Sequence, residues 1–127
     1  MNCKKLITLV LFMIFAVVAK SQTSLEQRVL FMPDSVNVME SQEMRLEVMA
    51  EYLKNHPNVT VIVAGFVSEK TTPARRETIA QERADVVCRI LTERYGIPSN
   101  QMIPIGVGLS QRYDQPEFNE VVSFFKK

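Results

Sequence analysis

A short run of apolar residues near the middle of the chain constrains its fold most. From Val59 to Ala64 the sequence is almost continuously apolar, and Asn58 and Gly65 bound the run. Alternating apolar and polar residues are typical of a strand with one exposed face, whereas an unbroken run indicates a strand covered on both faces. The sequence therefore predicts a central strand here, and the rest of the chain must supply its neighbours and the layer that covers it.

Two helices are predicted, one on each side of this strand in the sequence. The first runs from an N-cap at Ser41 to about Asn55, because apolar residues recur at helical spacing. The second runs from Thr72 to Tyr95, and Gly96 is placed to end it. The apolar residues at this spacing are Leu46, Met49, Ala50 and Leu53.

Three further segments have the composition of strands, namely Val29–Phe31, Met102–Val107 and Val121–Phe125. The resulting order is β-α-β-α-β-β. Strands that alternate with helices predict an α/β (α+β) fold class, in which a mixed sheet has two helices packed on one face. No internal repeat or linker divides the chain, so a single domain is predicted over residues 22–127.

The N-terminal residues have the pattern of a secretory signal peptide over residues 1–21. Lys4 and Lys5 precede an apolar run from Leu6 to Ala19, and Ala19-Lys20-Ser21 places small residues around a cleavage position. The run is shorter than the roughly 20 residues that span a bilayer, which favours cleavage. An uncleaved, tilted anchor is the alternative, and it is the only contact with a membrane that the sequence predicts.

Charge and composition argue against several classes of function. Without residues 1–21 the chain keeps 12 of its 15 Lys and Arg against 14 Asp and Glu, a net charge of −2 that disfavours binding to nucleic acid. His56 is the only histidine and is predicted to lie at a helix end or on the surface. Cys88 is predicted to be a buried thiol. We therefore predict no catalytic residue, no metal site and no cofactor.

Arg76 and Arg83 are the residues with the clearest potential for binding. They are seven positions apart, so they fall on one side of the second helix, beside its apolar stripe. A guanidinium in that place can lay its methylenes on the core and hold a carboxylate with two parallel donors. The alternative is a pair of solvated arginines that cover the edge of the core and pair with Glu82 or nearby acids.

The segment from Gly65 to Ala84 resembles the signature of the OmpA-like, peptidoglycan-binding domain family. In that family a Gly-His-Thr-Asp turn is followed by Asn and then by Leu-Ser-x-x-Arg-Ala, where x is any residue. The closing strand of the family carries Asn-Arg-Arg-Val, and the similarity covers about residues 28–125, with Phe31 at the place of a strand phenylalanine. The matching positions here are Gly65-Phe66-Val67-Ser68, Arg76, Ile79-Ala80-Gln81-Glu82-Arg83-Ala84 and Asn119-Glu120-Val121-Val122.

This resemblance implies an OmpA-like sandwich with a site for the peptide stem of peptidoglycan. In the family the turn aspartate pairs with the ammonium of diaminopimelate, while the helix arginine and backbone N–H groups hold its carboxylate. Arg83 keeps the arginine position, Ser68 stands where the aspartate is expected, and Glu69 is the adjacent acid that could replace it. Arg76 and Asn119 occupy the remaining positions of the implied site.

Two functions are compatible with the sequence. The first is a noncatalytic periplasmic module, associated with the outer membrane, whose binding of peptidoglycan is weak or altered because serine cannot neutralise an ammonium. The second is a degenerate domain that contacts an envelope protein or forms a homodimer and does not bind peptidoglycan. An exposed apolar patch would favour the second. Its candidate residues are Phe66, Val67, Phe118, Phe124 and Phe125.

Overall fold

The computed structural model describes residues 25–127, which form four strands and two α-helices. Single 3₁₀ turns cover Glu40–Gln42, Pro73–Arg75, Ser99–Gln101 and Pro116–Asn119. The predicted signal peptide lies outside the described residues. The main elements are β1 (Leu25–Leu30), α1 (Glu43–Asn55), β2 (Val61–Val67), α2 (Arg76–Tyr95), β3 (Met102–Leu109) and β4 (Val121–Lys126).

The strands form one mixed sheet in the order β1-β4-β2-β3. β2 runs parallel to β3 and antiparallel to β4, and β4 is also antiparallel to β1. β2 therefore has a neighbour on each side, as the apolar run from Val59 to Ala64 predicted. The predicted element order and the mixed sheet are confirmed.

The core lies between one face of the sheet and the two helices. Val63 of β2 pairs with Phe124 of β4, and both side chains are fully buried against the helices. Alternate residues of each strand point toward this layer because the side-chain period of a strand is two. The buried helix residues that meet them are Leu46, Met49, Ala50, Leu53, Ala84, Val87 and Leu91.

Two glycines let α2 lie directly on the backbone of the sheet. Gly65 and Gly106 are register partners on β2 and β3. A Cβ atom on Gly65 would lie 1.9 Å from the carbonyl oxygen of Ala80, and one on Gly106 would lie 2.6 Å from the amide nitrogen of Gln81. Only glycine permits this approach, which fixes the position of α2 and of Arg83 one turn further along it.

The side chain of Gln81 also closes part of the free edge of β3. Its Nε2 donates to the carbonyl of Pro104 over 3.4 Å, and its Oε1 accepts the N–H of Gly106 over 2.9 Å. Pro104 itself has no N–H to offer to another strand. One stretch of this outer edge is therefore already occupied within the chain.

The starts of both helices differ from the sequence prediction, whereas their ends agree. Ser41 lies inside a 3₁₀ turn and α1 begins at Glu43, and Thr72 precedes another 3₁₀ turn and does not cap through its side chain. In both cases a 3₁₀ turn forms the first turn of the helical segment, as is common at the N-terminus of an α-helix. Gly96 ends α2 with φ of 73°, and His56 is the C-cap of α1.

The opposite face of the sheet is only partly covered. Ile62, Phe66 and Phe125 project there and are half-buried, while Val121 is buried beneath the loop between β3 and β4. The prediction that β2 is covered on both faces is therefore wrong in part, because helices pack on one face alone. None of the helices within residues 25–127 combines the length and the apolar character needed to cross a membrane.

Candidate functional site: a buried ion pair

Arg83 is the centre of the candidate site, and its side chain is 0% exposed. Nε donates to the carbonyl of Ser35 over 2.8 Å, Nη2 to that of Met32 over 3.0 Å, and Nη1 to that of Phe66 over 2.9 Å. These carbonyls come from the β1–α1 connection and from the end of β2. The guanidinium therefore joins two segments that are distant in sequence, and it is not the solvated arginine of the second alternative.

A glutamate completes the coordination of Arg83. Nη1 also donates to Oε1 of Glu120 over 3.1 Å, and the Glu120 side chain is likewise 0% exposed. Burial lowers the pKa of the Arg83 guanidinium, and the hydrogen bond and charge of Glu120 oppose that shift. An arginine remains charged at neutral pH under such a shift. The arrangement is a buried salt bridge, and the guanidinium carbon of Arg83 lies over the ring of Phe31, 5.0 Å from its centroid.

Glu120 connects this ion pair to the β2–α2 turn. Its Oε1 accepts the backbone N–H of Ser68 over 2.7 Å and the hydroxyl of Thr71 over 3.4 Å. Its Oε2 is buried and has no partner among the described residues. Three donors thus converge on one oxygen of an internal carboxylate, which is the set of contacts that a bound carboxylate would need.

Glu120 is a site residue that the sequence did not predict. It stands at a position where the family pattern has an arginine. One signal was present, because an acid is missing at position 68 and an acid is gained at position 120. Their proximity could not be read from the sequence, since the two positions are 52 residues apart.

Ser68 lies in the site but uses its side chain locally. It is fully buried, and its Oγ accepts the backbone N–H of Lys70 over 3.1 Å. Its contact with Glu120 is made by the backbone. The side chain therefore stabilises the turn through the hydrogen bond with Lys70.

Glu69 and Arg76 contact each other but do not join the ion pair. Arg76 is half-buried and donates to the carbonyls of Thr71, over 3.0 Å, and of Glu69, over 3.1 Å. The residue Glu69 is exposed. Both residues support the turn through its backbone, and no hydrogen bond among the described residues connects them to Arg83.

Asn119 organises the loop between β3 and β4. Its Oδ1 accepts the hydroxyl of Ser110 and the N–H of Tyr113, each over 3.1 Å, and its Nδ2 donates to the carbonyl of Tyr113 over 2.9 Å. Asn119 is buried next to Glu120 in the sequence. Its side chain thus holds the loop, while Glu120 holds the arginine.

The two residues predicted to be structural lie outside this site. His56 is exposed, stacks on Tyr52 and forms a 2.8 Å hydrogen bond with its carbonyl. Cys88 is half-buried on α2, and burial raises the pKa of its thiol to about 12. Within residues 25–127 no group of three metal-ligating side chains converges.

The fold defines a domain class in which a four-stranded mixed sheet carries two helices on one face and an arginine of the second helix anchors the turn before it. The OmpA family model matches residues 30–123, and the chain belongs to that family. It is 25% identical over 78 residues to outer membrane porin F of Pseudomonas aeruginosa. The match covers 61% of this chain and only 22% of the porin.

Solved structures share the fold at low sequence identity. The peptidoglycan-associated lipoprotein of Burkholderia pseudomallei superposes with a TM-score of 0.71 at 24% identity, covering 80% of this chain and 91% of that one. The OmpA-like domain of FopA1 from Francisella tularensis gives 0.67 at 18% identity, covering 79% and 72%. The periplasmic domain of Helicobacter pylori MotB gives 0.66 at 21% identity, covering 81% and 75%. The predicted fold class and family resemblance are confirmed.

Proposed function

We propose that this protein is an exported, noncatalytic module of the cell envelope that retains the OmpA fold but acts through protein contacts and not by binding peptidoglycan. The observation that carries the proposal is the Arg83–Glu120 ion pair, in which both side chains are 0% exposed. In the family the equivalent arginine holds the carboxylate of a ligand. Here a carboxylate of the same chain takes that role.

The contacts of Glu120 support this closure of the site. A ligand carboxylate would need donors from the arginine and from the backbone of the turn, and Glu120 already accepts from Arg83 and from the N–H of Ser68. Displacing Glu120 would leave the buried guanidinium of Arg83 without its carboxylate, and breaking a buried pair in this way costs about 3–5 kcal/mol. A ligand carboxylate would have to replace the contacts of Glu120 before it could add to the free energy of binding.

The envelope location rests on the predicted signal peptide and on the family. Residues 1–21 have a basic start followed by an apolar run, as a secreted precursor has. The relatives include an outer membrane porin, a peptidoglycan-associated lipoprotein and a periplasmic domain of MotB. Phe118 supplies exposed apolar surface for contact with another protein.

Sedimentation with purified sacculi tests the proposal. The native protein is expected to stay in the supernatant, and co-sedimentation would overturn the proposal. A double variant, Ser68→Asp with Glu120→Arg, restores the residue types of the family at both positions. This variant is expected to sediment with the sacculi. Ser99→Asp with Glu93→Arg is the matched control, because it makes the same chemical changes at exposed positions. Thermal unfolding by circular dichroism verifies that each variant is folded.

A second candidate function is peptidoglycan binding in which Glu120 replaces the missing turn aspartate. The observation that favours it is the unpartnered Oε2 of Glu120, an acceptor that an ammonium could use. The same experiment separates the two functions. Sedimentation of the native protein that is lost in Glu120→Gln would establish this second candidate.

A further inference from the structure

A groove lies on the open face of the sheet, beside the loop of residues 110–120 that joins β3 to β4. It encloses a cavity of about 270 Å³. A cavity of roughly 150 Å³ already holds a benzene ring, so this one has room for an aromatic side chain. Its floor comes from the half-buried side of β2 and β4. The apolar lining residues of this sheet-face groove are Phe66, Leu109, Val121 and Phe125.

The rim of the sheet-face groove carries Arg112 and Tyr113, and Arg28 lies against the same tyrosine. The guanidinium carbons of Arg28 and Arg112 lie 5.1 and 5.6 Å from the ring centroid of Tyr113, and Arg28 also donates to the Tyr113 hydroxyl. No salt bridge with a described carboxylate involves either arginine. The groove therefore combines an apolar floor with two cations available to an incoming carboxylate.

The complement of this groove is present on the same loop. Phe118 is 42% exposed and packs edge-on against Tyr113, with ring centroids 6.3 Å apart. Asp114 and Glu117 precede it on the same loop and are exposed. The segment Asp114–Phe118, called here the acidic knob, thus offers one aromatic ring and two carboxylates beside a groove of opposite character.

The acidic knob and the sheet-face groove lie side by side on one surface, and this placement suits a two-fold axis. In an isologous contact each copy presents the same patch. The knob of each copy therefore enters the groove of the other, and the contact is made twice. Two copies of net charge −2 after loss of residues 1–21 repel each other little. Asn119 holds the loop with three hydrogen bonds, so little ordering is required on binding.

We propose that the sheet-face groove binds the acidic knob of a second copy of this chain, forming a two-fold symmetric dimer. Phe118 of each copy occupies the cavity of the other, and Glu117 pairs with the rim arginine Arg112. This inference names the partner of the protein-contact function proposed above and rests on that proposal. It has its own readout, because self-association is measured without sacculi.

Sedimentation velocity over a wide concentration range tests the dimer. The full chain is expressed from its own start so that any N-terminal processing occurs, and its mass is determined before the measurement. A concentration-dependent dimer is expected, and Phe118→Ser is expected to abolish it. Met44→Ser is the matched control, since Met44 is 73% exposed on α1 and lies outside this surface.

Charge reversal provides the sharper test of the orientation. Arg112→Glu and Glu117→Arg each place like charges together twice in a homodimer, so each is expected to raise the dissociation constant about tenfold or more. An equimolar mixture of the two variants restores opposite charges at both contacts and is expected to recover association as a heterodimer. Arg45→Glu, at an exposed position of α1, controls for the change in net charge.

The outcomes are distinct from those of the sacculus experiment. Recovery in the mixture establishes both the surface and its symmetry. A strict monomer at every concentration, or a dimer unaffected by Phe118→Ser and by both reversals, overturns this inference and leaves the closed arginine site untouched. Sacculus binding by a protein that also dimerises would overturn the closed site and leave the dimer standing.

Discussion

Replacement of Arg83 by methionine is expected to destabilise the domain strongly. Methionine fills much of the space of the arginine stem but donates no hydrogen bond, so the carboxylate of Glu120 and the carbonyls of Ser35, Met32 and Phe66 lose their partner. Breaking a buried ion pair by removing one partner costs about 3–5 kcal/mol. A domain of this size loses about 4–8 °C of Tm per kcal/mol, so a drop of roughly 12–40 °C follows.

A double-mutant cycle isolates the ion pair from the packing of its residues. Glu120→Gln keeps the shape and the acceptor for Ser68 but removes the charge. The combined Arg83→Met and Glu120→Gln variant is expected to cost less than the sum of the single changes by about 1–3 kcal/mol, because no unpaired charge remains buried. Urea unfolding of the protein beginning at Gln22, followed by circular dichroism, provides the four free energies of unfolding.

The control for this cycle is an arginine in an exposed pair. Arg75 lies 3.8 Å from Asp34, and the two side chains are 59% and 46% exposed. Arg75→Met is expected to change the free energy of unfolding by no more than about 0.5 kcal/mol. An additive cycle at Arg83 and Glu120, or a cost of Arg83→Met similar to that of Arg75→Met, would refute the assignment of a buried ion pair.

Three further changes probe other parts of the molecule. Gly65→Ala is expected to lower the free energy of unfolding in urea by about 1–3 kcal/mol or more, because its Cβ would meet the α2 backbone at 1.9 Å. Gly96→Ala is the comparison, since a Cβ there meets no atom within 4 Å and only the φ of 73° disfavours it. Asn119→Ala is expected to loosen the β3–β4 loop, seen as faster amide hydrogen exchange at Tyr113 with protection retained in β2; equal exchange in both proteins would contradict its role. Burial raises the pKa of Cys88 from 9.0 to about 12. Alkylation of this thiol at pH 8 should therefore be roughly 100-fold or more slower in the folded protein than in urea. The stability associated with the neutral thiol should decline as the pH rises above 9.0. A thiol that reacts equally fast in the folded protein would refute that burial.

The elements that could be predicted from the sequence are those set by local spacing. Leu46, Met49, Ala50 and Leu53 recur at helical intervals and all are buried in α1. Gly96 ends α2 in the left-handed region because that conformation suits a residue without a Cβ. Such signals lie within one or two turns of the chain, so no knowledge of the tertiary structure is needed to interpret them.

The contacts of the site join residues that are far apart in the sequence, so they were harder to predict. Helical spacing placed Arg83 at the border of the apolar stripe, but its burial depends on carbonyls from Met32 and Ser35, about 50 positions earlier. Glu120 reaches the same guanidinium from 37 positions later. A pattern of local residues cannot indicate which of the many acids of a chain will meet a given arginine.

The Gln81 side chain that closes part of the β3 edge has a consequence for how the protein behaves when concentrated. An unpaired strand edge is a template on which further strands can add, and unlimited addition produces fibrils. Because an amide of α2 already binds Pro104 and Gly106, growth of the sheet past β3 would first have to break those bonds. The molecule can therefore present a largely apolar sheet face for a finite, closed contact while this part of the β3 edge resists the addition of further strands.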